Sequence, residues 1–242
     1  MIKVERLVKR YPPAEPVLNK LSFEIQPGEF IGIVGPSGSG KSTLLKCLAL
    51  RESWTSGKLI VDGADMIAQQ WNGKRKVWRE FAYLEQNPVL TANRKAFKNV
   101  LIGRFHQTPL WRMATGMIRS DDYMGAMDTL EMLGLLDKAH KKTGDLSGGE
   151  KQRVAIARAL VHGANVLLAD EPVLGLDPKS AESVLETFQE LCSRQRKTVI
   201  AVFHQVELAE KYATRIWGLK QGQIAVDVKG RRLLQSEKAL IS

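Results

Sequence analysis

Gly35-Pro36-Ser37-Gly38-Ser39-Gly40-Lys41-Ser42 is the stretch on which the reading of this chain turns. It matches G-x-x-x-x-G-K-[S/T] in full, and its flanks agree with it. The apolar run Phe30-Ile31-Gly32-Ile33-Val34 reads as a buried parallel strand, and Ser42-Thr43-Leu44-Leu45-Lys46-Cys47-Leu48 has helical spacing. Glycines let the backbone curl until successive N–H groups face one centre, and a helix N-terminus adds positive potential there. Phosphate oxygens suit such a centre. Lys41 would act as a mobile charge on the β- and γ-phosphates, and the Ser42 hydroxyl would face Mg²⁺. A glycine-rich turn with a chance lysine would lack the strand–loop–helix context, so the stretch marks a nucleoside triphosphate site.

Such a site needs a carboxylate from a neighbouring strand. Val166-Leu167-Leu168-Ala169 is an apolar run ending in Asp170-Glu171, broken by Pro172. Asp170 is placed to hold Mg²⁺ through water, and Glu171 to polarise an attacking water as general base. In isolation the pair would be two solvated acids at a strand end; beside a phosphate loop it is a second half-site. A third motif, Leu146-Ser147-Gly148-Gly149-Glu150, opens a helix, with Ser147 and Glu150 in capping-box spacing. A plain cap needs no double glycine. Gly148-Gly149 leaves the first-turn amides bare, so an anion can approach closely.

Composition sets the frame. The 242 residues carry 36 Lys+Arg against 26 Asp+Glu, a net charge of +10, and 44% are hydrophobic. That is material for a packed core and excludes disordered, collagen-like and disulfide-rich classes. Two cysteines, Cys47 and Cys192, fit a reducing compartment. No stretch approaches the ~20 apolar residues of a membrane span, and the start lacks a signal peptide's apolar core, so a soluble intracellular chain is expected. A pI near 9.6 fits an acidic partner (nucleotide, nucleic acid or anionic membrane) as well as an ordinary solvated surface. The densest basic cluster is Lys74-Arg75-Lys76 with Arg79. Neither an RNA-binding aromatic–basic pattern nor paired Cys/His zinc spacing is present, and no nucleic acid is expected.

Strand-like alternation runs through Ile2, Val4 and Leu7, then Leu21, Phe23 and Ile25, with a turn at Pro27-Gly28. A hairpin-like unit follows between Gly57 and Gly63. These make a β-rich edge around the strand–loop–helix unit. Residues 89–144 read as an inserted helical subdomain, where Trp111, Met113, Met117, Met124, Met127 and Met132 are assigned to core packing. The α/β texture then returns, with a helix to 160, a strand at 166–169, a helix near 181–194 and a strand at 199–203. The expected organisation is one domain, with 1–88 and 145–230 as catalytic core, 89–144 as helical subdomain and 231–242 as a short polar tail of no assigned role.

The motifs in this order resemble the nucleotide-binding subunits of ABC transporters over nearly the whole chain. They comprise the loop Gly35–Ser42 with Thr43, Gln86, the signature Leu146–Glu150, the acids Asp170-Glu171, a loop at Gly175-Leu176-Asp177, and His204 after Val202-Phe203. Tyr11 matches the aromatic that stacks on adenine. The resemblance implies an α/β P-loop NTPase fold of the ABC ATPase type, with a mixed sheet core, a β-rich edge and a helical subdomain. It implies ATP and Mg²⁺ as ligands, with Ser42, Gln86 and Asp170 at the metal and Lys41, Gln86, Glu171 and His204 in catalysis. Two copies would close head to tail around two ATP molecules, the signature of one, Ser147 and Gly149 above all, completing the other's γ-phosphate site. His106, His140 and His162 are read as surface residues.

Three positions depart from the family pattern: Glu150 stands where glutamine is common, Glu85 where an apolar or aromatic residue is common, and Gly175 where serine or alanine is common. None removes a catalytic group. With one phosphate loop and no span, the permease would be a separate chain, reached from outside by a substrate-binding protein, and this subunit would sit peripherally on the cytoplasmic face of the cell membrane. Within the family the chain is most similar to the ATPases of phosphonate importers. The similarity lies in Asn99–Arg104 with the segment through Leu110-Trp111-Arg112 to Asp121-Asp122, in Leu168–Pro172 with Leu176-Asp177-Pro178, and in Tyr212–Leu219. An ATPase for another cargo (phosphate, amino acids, lipoprotein release) and a non-transport ABC protein are the alternatives.

Overall fold

A computed structural model describes residues 1–12, 15–107 and 119–241. Two compact units result. The first comprises Met1–Tyr83, Asn165–Glu171 and Phe188–Ser242; the second comprises Leu84–Ala164 and Pro172–Thr187.

The first unit holds two sheets. Strands β1 (Ile2–Arg10), β2 (Pro16–Ile25), β4 (Ser56–Val61) and β5 (Ala64–Asp65) form an antiparallel sheet in the order β2-β1-β4-β5. Inward residues such as Val4, Leu7 and Leu59 are buried while their neighbours are not, as one-sided packing demands. The second sheet runs β10-β9-β3-β8-β7-β6, built from β3 (Phe30–Val34), β6 (Phe81–Leu84), β7 (Val166–Asp170), β8 (Thr198–Val202), β9 (Arg215–Lys220) and β10 (Gln223–Lys229). Strands β7, β8, β3 and β9 are parallel, and every residue of β3, β7 and β8 is buried. That is why their sequences read as unbroken apolar runs.

A shared core lies between the sheets, with Phe23 against the fully buried Trp217 at 4.6 Å between ring centroids. Helix α1 (Lys41–Leu48) enters it through Leu44, Leu45 and Leu48. Eight residues are too few to hold a helix alone, so burial at about 1.5–3 kcal/mol per leucine anchors α1, and with it the loop before it. At the sheet margin Arg215 forks onto Asp227 (2.7 and 2.6 Å), donates to the Glu24 carbonyl (2.7 Å) and pairs with Glu29 (3.2 Å), tying β2, β9 and β10 together.

Helix α2 (Gln70–Glu80) precedes β6 and shows no apolar stripe in the sequence, since only Gly73 and Val77 of it are buried. Past Gly230, where the sequence reading assigned nothing, α8 (Gln235–Ile241) forms. It seats Ile241 against Gly218 and is held by Arg231–Glu237 (2.7 Å) and Lys238–Glu210 (3.0 Å).

The second unit is helical: α3 (Ala96–Leu101), a 3₁₀ turn at Ile102–Gln107, α4 (Ser120–Met132) and α5 (Gly148–Val161) pack on one another. Buried Asn99 is its polar hub. Its carboxamide accepts from the Thr91 amide (2.9 Å) and donates to Thr143 Oγ1 (3.1 Å). The packing role expected of the methionines is not met by Met124 and Met132 of α4, which are exposed, while Met127 is half-buried and Ala126 and Leu130 face inward. Trp111, Met113 and Met117 lie outside the described residues. Helix α6 (Pro178–Gln195) leads back to the first unit, where α7 (Val206–Tyr212) follows β8.

Candidate nucleotide-binding site

The loop 35–40 leaves the carboxyl end of β3, where parallel sheets build their sites. Gly35 (φ 146°) and Gly40 (φ 99°) take backbone conformations closed to other residues, and a Cβ on Gly35 would overlap the Leu219 carbonyl. Gly40 is also the N-cap of α1. It offers no side-chain cap, and no acid stands in the helix's first turn, so the first-turn amides keep their positive end for an outside anion. Lys41 Nζ donates to the Gly35 and Pro36 carbonyls, both at 2.8 Å, which holds the ammonium over its own loop. Burial lowers its pKa below the usual lysine range, while the Glu171 and Asp170 carboxylates pull it back up.

Register carries the acids to the same place. Asp170 of β7 stands level with Val202 of β8, and Ile33 of β3 with that same Val202. Ser42 Oγ, at the head of α1, donates to Asp170 Oδ1 at 2.9 Å. Burial raises the Asp170 pKa above the ordinary aspartate value; the Ser42 hydrogen bond opposes the shift and the neighbouring Glu171 charge adds to it. Glu171 adopts φ 49°, a left-handed conformation costing a non-glycine residue about 1–2 kcal/mol. That bend turns consecutive acids into different surroundings: Asp170 is buried and Glu171 half-exposed. His204 is exposed, two residues beyond the end of β8, on the edge from which the loop and the acids emerge.

A hydroxyl and a buried carboxylate in contact are hard oxygen donors of the kind Mg²⁺ takes. Among the described residues no cluster of three or more His, Cys, Asp or Glu could cage a metal. The donor set therefore fits an ion that draws its remaining ligands from phosphate and water.

Tyr11 directly follows β1 and is 41% exposed. Lys9 Nζ lies over its ring, 4.3 Å from the centroid, and is fixed by the Ser53 carbonyl (2.8 Å) and Glu52 (3.1 Å). Burial first, then the Glu52 charge, raises the phenol pKa, and a hydrogen bond with Thr43 opposes them, so the hydroxyl faces the start of α1. Lys9 and Glu52 were not singled out from the sequence. The available signal was a lysine on the inward face of β1, two residues after buried Leu7.

The second unit carries the remaining motif residues. Ser147 caps α5 in the expected box: its Oγ accepts from the Glu150 amide (3.2 Å), and Glu150 Oε2 accepts from the Ser147 amide (2.8 Å). That last bond, above all, lowers the Glu150 pKa. Gly148 faces open space, and a Cβ on Gly149 would touch Leu176 at 3.5 Å, so the helix end is bare beyond its cap. Leu146 is buried. Gly175 turns the chain at φ 74°, and Asp177 caps α6 by accepting from the Ser180 amide (3.0 Å). Gln86 is exposed, two residues after β6. Of the histidines read as surface, His140 is exposed and His162 half-buried; the His106 side chain lies outside the described residues.

A phosphate-binding loop, an adjoining acid pair at the carboxyl edge of a parallel sheet and an attached antiparallel sheet define a P-loop ATPase. A family model described as ABC transporter matches residues 18–174. The chain belongs to the ABC transporter family, as one of its ATP-hydrolysing P-loop proteins. It is 38% identical over 227 residues to the phosphonates import ATP-binding protein PhnC of Lactococcus lactis subsp. cremoris, covering 94% of this chain and 92% of that protein. It is 40% identical over 225 residues to the protein of the same name in Bdellovibrio bacteriovorus, covering 93% and 86%. Among solved structures it resembles the ATP-binding cassette MJ0796, dimeric in a post-hydrolysis state with ADP and Pi (TM-score 0.85, 31% identity, 96% of this chain and 100% of that one). It also resembles cbiO1 of Clostridium perfringens, part of the cbiONQ transporter complex (TM-score 0.80, 26% identity, 95% and 88%).

Proposed function

We propose that this chain is the ATPase subunit of an importer of phosphonate or a related oxyanion, working on a separate membrane permease that a substrate-binding protein supplies. The contact between Ser42 and buried Asp170, beside a lysine held over a glycine loop, carries the ATPase half of this reading. The cargo follows from relatives named for phosphonate import at 35–40% identity over more than nine-tenths of this chain.

In this reading Gly35–Ser42 and Thr43 enclose the phosphates, and Lys41 leaves the Gly35 and Pro36 carbonyls for the β- and γ-oxygens. Tyr11, backed by Lys9, offers its ring to adenine. Ser42 and Asp170, with Gln86, hold Mg²⁺, which when bound neutralises charge on the phosphates. Glu171 takes the proton of the attacking water, with His204 beside the γ-phosphate. Two copies close head to tail, and Ser147 and Gly149 of one present the bare end of α5 to the other's ATP. Gly175, Leu176 and Asp177 lie along that joint. Residues 1–88 and 145–230 act as the catalytic core and 89–144 as the helical subdomain, and the subunit works at the cytoplasmic face of the cell membrane.

Lys41→Ala tests the ATPase half: phosphate release should fall to background, and full activity would refute the loop assignment. Deletion of the gene should abolish growth on a phosphonate as sole phosphorus source while sparing growth on phosphate; unimpaired growth on the phosphonate would refute the cargo.

A further inference from the structure

Lys9 is buried on β1, with 5% of its surface exposed, and an ammonium persists in such a place only where partners satisfy it. Its N–H donors meet the Ser53 carbonyl (2.8 Å), the Glu52 carboxylate (3.1 Å) and the Tyr11 ring (4.3 Å to the centroid). Fastening the segment after α1 to β1 does not call for this lysine. The Thr55 amide donates to the Val8 carbonyl (2.8 Å) and the Arg10 amide to Thr55 Oγ1 (2.9 Å), which closes that seam on both sides of Lys9.

Tyr11 has the opposite need. It stands one residue past the last rung of the β1–β2 ladder, where Arg10 faces Pro16, so side-chain contacts rather than the ladder fix its ring. Two of those contacts lead to α1, the helix that opens on the phosphate loop: the phenol hydrogen-bonds with Thr43 in its first turn and with Glu52 shortly past its end. Glu52 is itself tied to that end. Its amide and that of Arg51 donate to the Lys46 carbonyl (3.2 and 2.9 Å), and Trp54 Nε1 donates to the Cys47 carbonyl (2.8 Å). The hydrogen bond from Lys9, above all, holds the Glu52 carboxyl below the ordinary carboxylate range, so it is ionised at neutral pH. The third contact is Lys9, whose ammonium covers one face of the ring and leaves the other for a flat base.

We propose that Lys9, held by Glu52 and Ser53, is a positioning residue for the nucleobase: it locks the Tyr11 ring in place relative to α1, so that adenine stacks on the uncovered face while the triphosphate fills the loop. A phenol free to turn would be ordered anew by each incoming nucleotide, a cost that the clamp removes beforehand. With the ring between it and the base, Lys9 acts through Tyr11 alone. Its contribution is uniform binding, which lowers KM and leaves the chemical step untouched. The role deepens the ATP reading and rests on it.

Calorimetric titration of the full chain in EDTA, which prevents turnover, tests this with ATP and with inorganic triphosphate, which reaches the loop and has no base to stack. Lys9→Met should weaken ATP about fivefold and leave inorganic triphosphate unchanged. Tyr11→Leu should weaken ATP about thirtyfold, and adding Lys9→Met to it should cost less than about twofold more. A lysine that merely stabilised the fold would shift both ligands alike, or add its full factor in the Tyr11→Leu chain. Glu52→Gln keeps an acceptor for both partners and should follow Lys9→Met in direction, at about twofold. In turnover the loss should appear in KM, with kcat within about twofold of the parent's. Unchanged ATP affinity in Lys9→Met (in Glu52→Gln, should the former not fold), or the full loss recurring in the Tyr11→Leu chain, would overturn the role of Lys9 alone. A parent that binds neither ligand would overturn the ATP reading as well.

Discussion

Asp170→Asn should make the protein more stable and catalytically dead. The carboxylate is 4% exposed, its oxygen Oδ1 takes one hydrogen bond from Ser42 at 2.9 Å, and burial raises its pKa. A carboxyl whose native pKa lies above its unfolded value is held protonated more readily by the folded chain. Stability therefore falls as pH rises from the ordinary 3.8 through the raised value, and at neutral pH the fold bears that cost. Asparagine keeps the acceptor for Ser42 and sheds the charge, returning about 1–2 kcal/mol, or about 2–8 °C in melting temperature for a chain of this size. The gain should shrink toward zero as pH drops below the ordinary aspartate range. If Asp170 is the Mg²⁺-side carboxylate proposed above, its loss removes several kcal/mol of transition-state stabilisation, so Mg²⁺-dependent ATPase should fall at least about a hundredfold. Thermal melts at two pH values and a phosphate-release assay read both effects. A variant less stable than its parent at pH 7, or one keeping more than about a tenth of the rate, would refute the assignment of Asp170 as a buried anion poised for a cation.

Two further substitutions probe other parts of the fold. Glu150→Gln keeps the capping geometry and removes the charge. Because hydrogen bonding to Ser147 holds the Glu150 pKa below the ordinary 4.5, the parent gains stability above that value and loses it as pH falls through the lowered one. Urea midpoints below pH 4.5 should therefore drop more steeply for the parent than for the variant, and parallel curves would contradict this. Arg215→Met leaves the partly exposed Asp227 without its cation, while Glu29 keeps Lys229 at 2.6 Å, and should cost about 1–3 kcal/mol in urea unfolding, while ATP affinity of the folded fraction stays unchanged. A loss below about 1 kcal/mol would mean that the fork holds little.

How much the sequence disclosed depended on whether burial and periodicity agreed. Strands β3, β7 and β8 were legible because both their faces are covered, so composition alone marks them. The phosphate loop and the Ser147–Glu150 box were legible because their chemistry is local: backbone conformation and hydrogen bonds within a few residues fix both. Helix α2 escaped because it buries a glycine and a valine while exposing two tryptophans, the reverse of an amphipathic signature. Helix α8 escaped because it is anchored by charged pairs, one of them with the distant Glu210, and by Ile241 packed on Gly218. Met124 and Met132 of α4 misled in the other direction, since apolar spacing cannot tell a core face from an exposed one. Lys9 was not legible as a support for Tyr11 because only tertiary structure brings Glu52 and Ser53 to fix its ammonium over that ring.

Light scattering on Glu171→Gln in the presence of ATP reaches the account most directly. Every group proposed to grip the triphosphate survives in that variant and only the proposed base is gone, so bound ATP should persist and hold two copies together at about 54 kDa, twice 27.0 kDa. A species of 27.0 kDa with ATP bound, however concentrated, would contradict it.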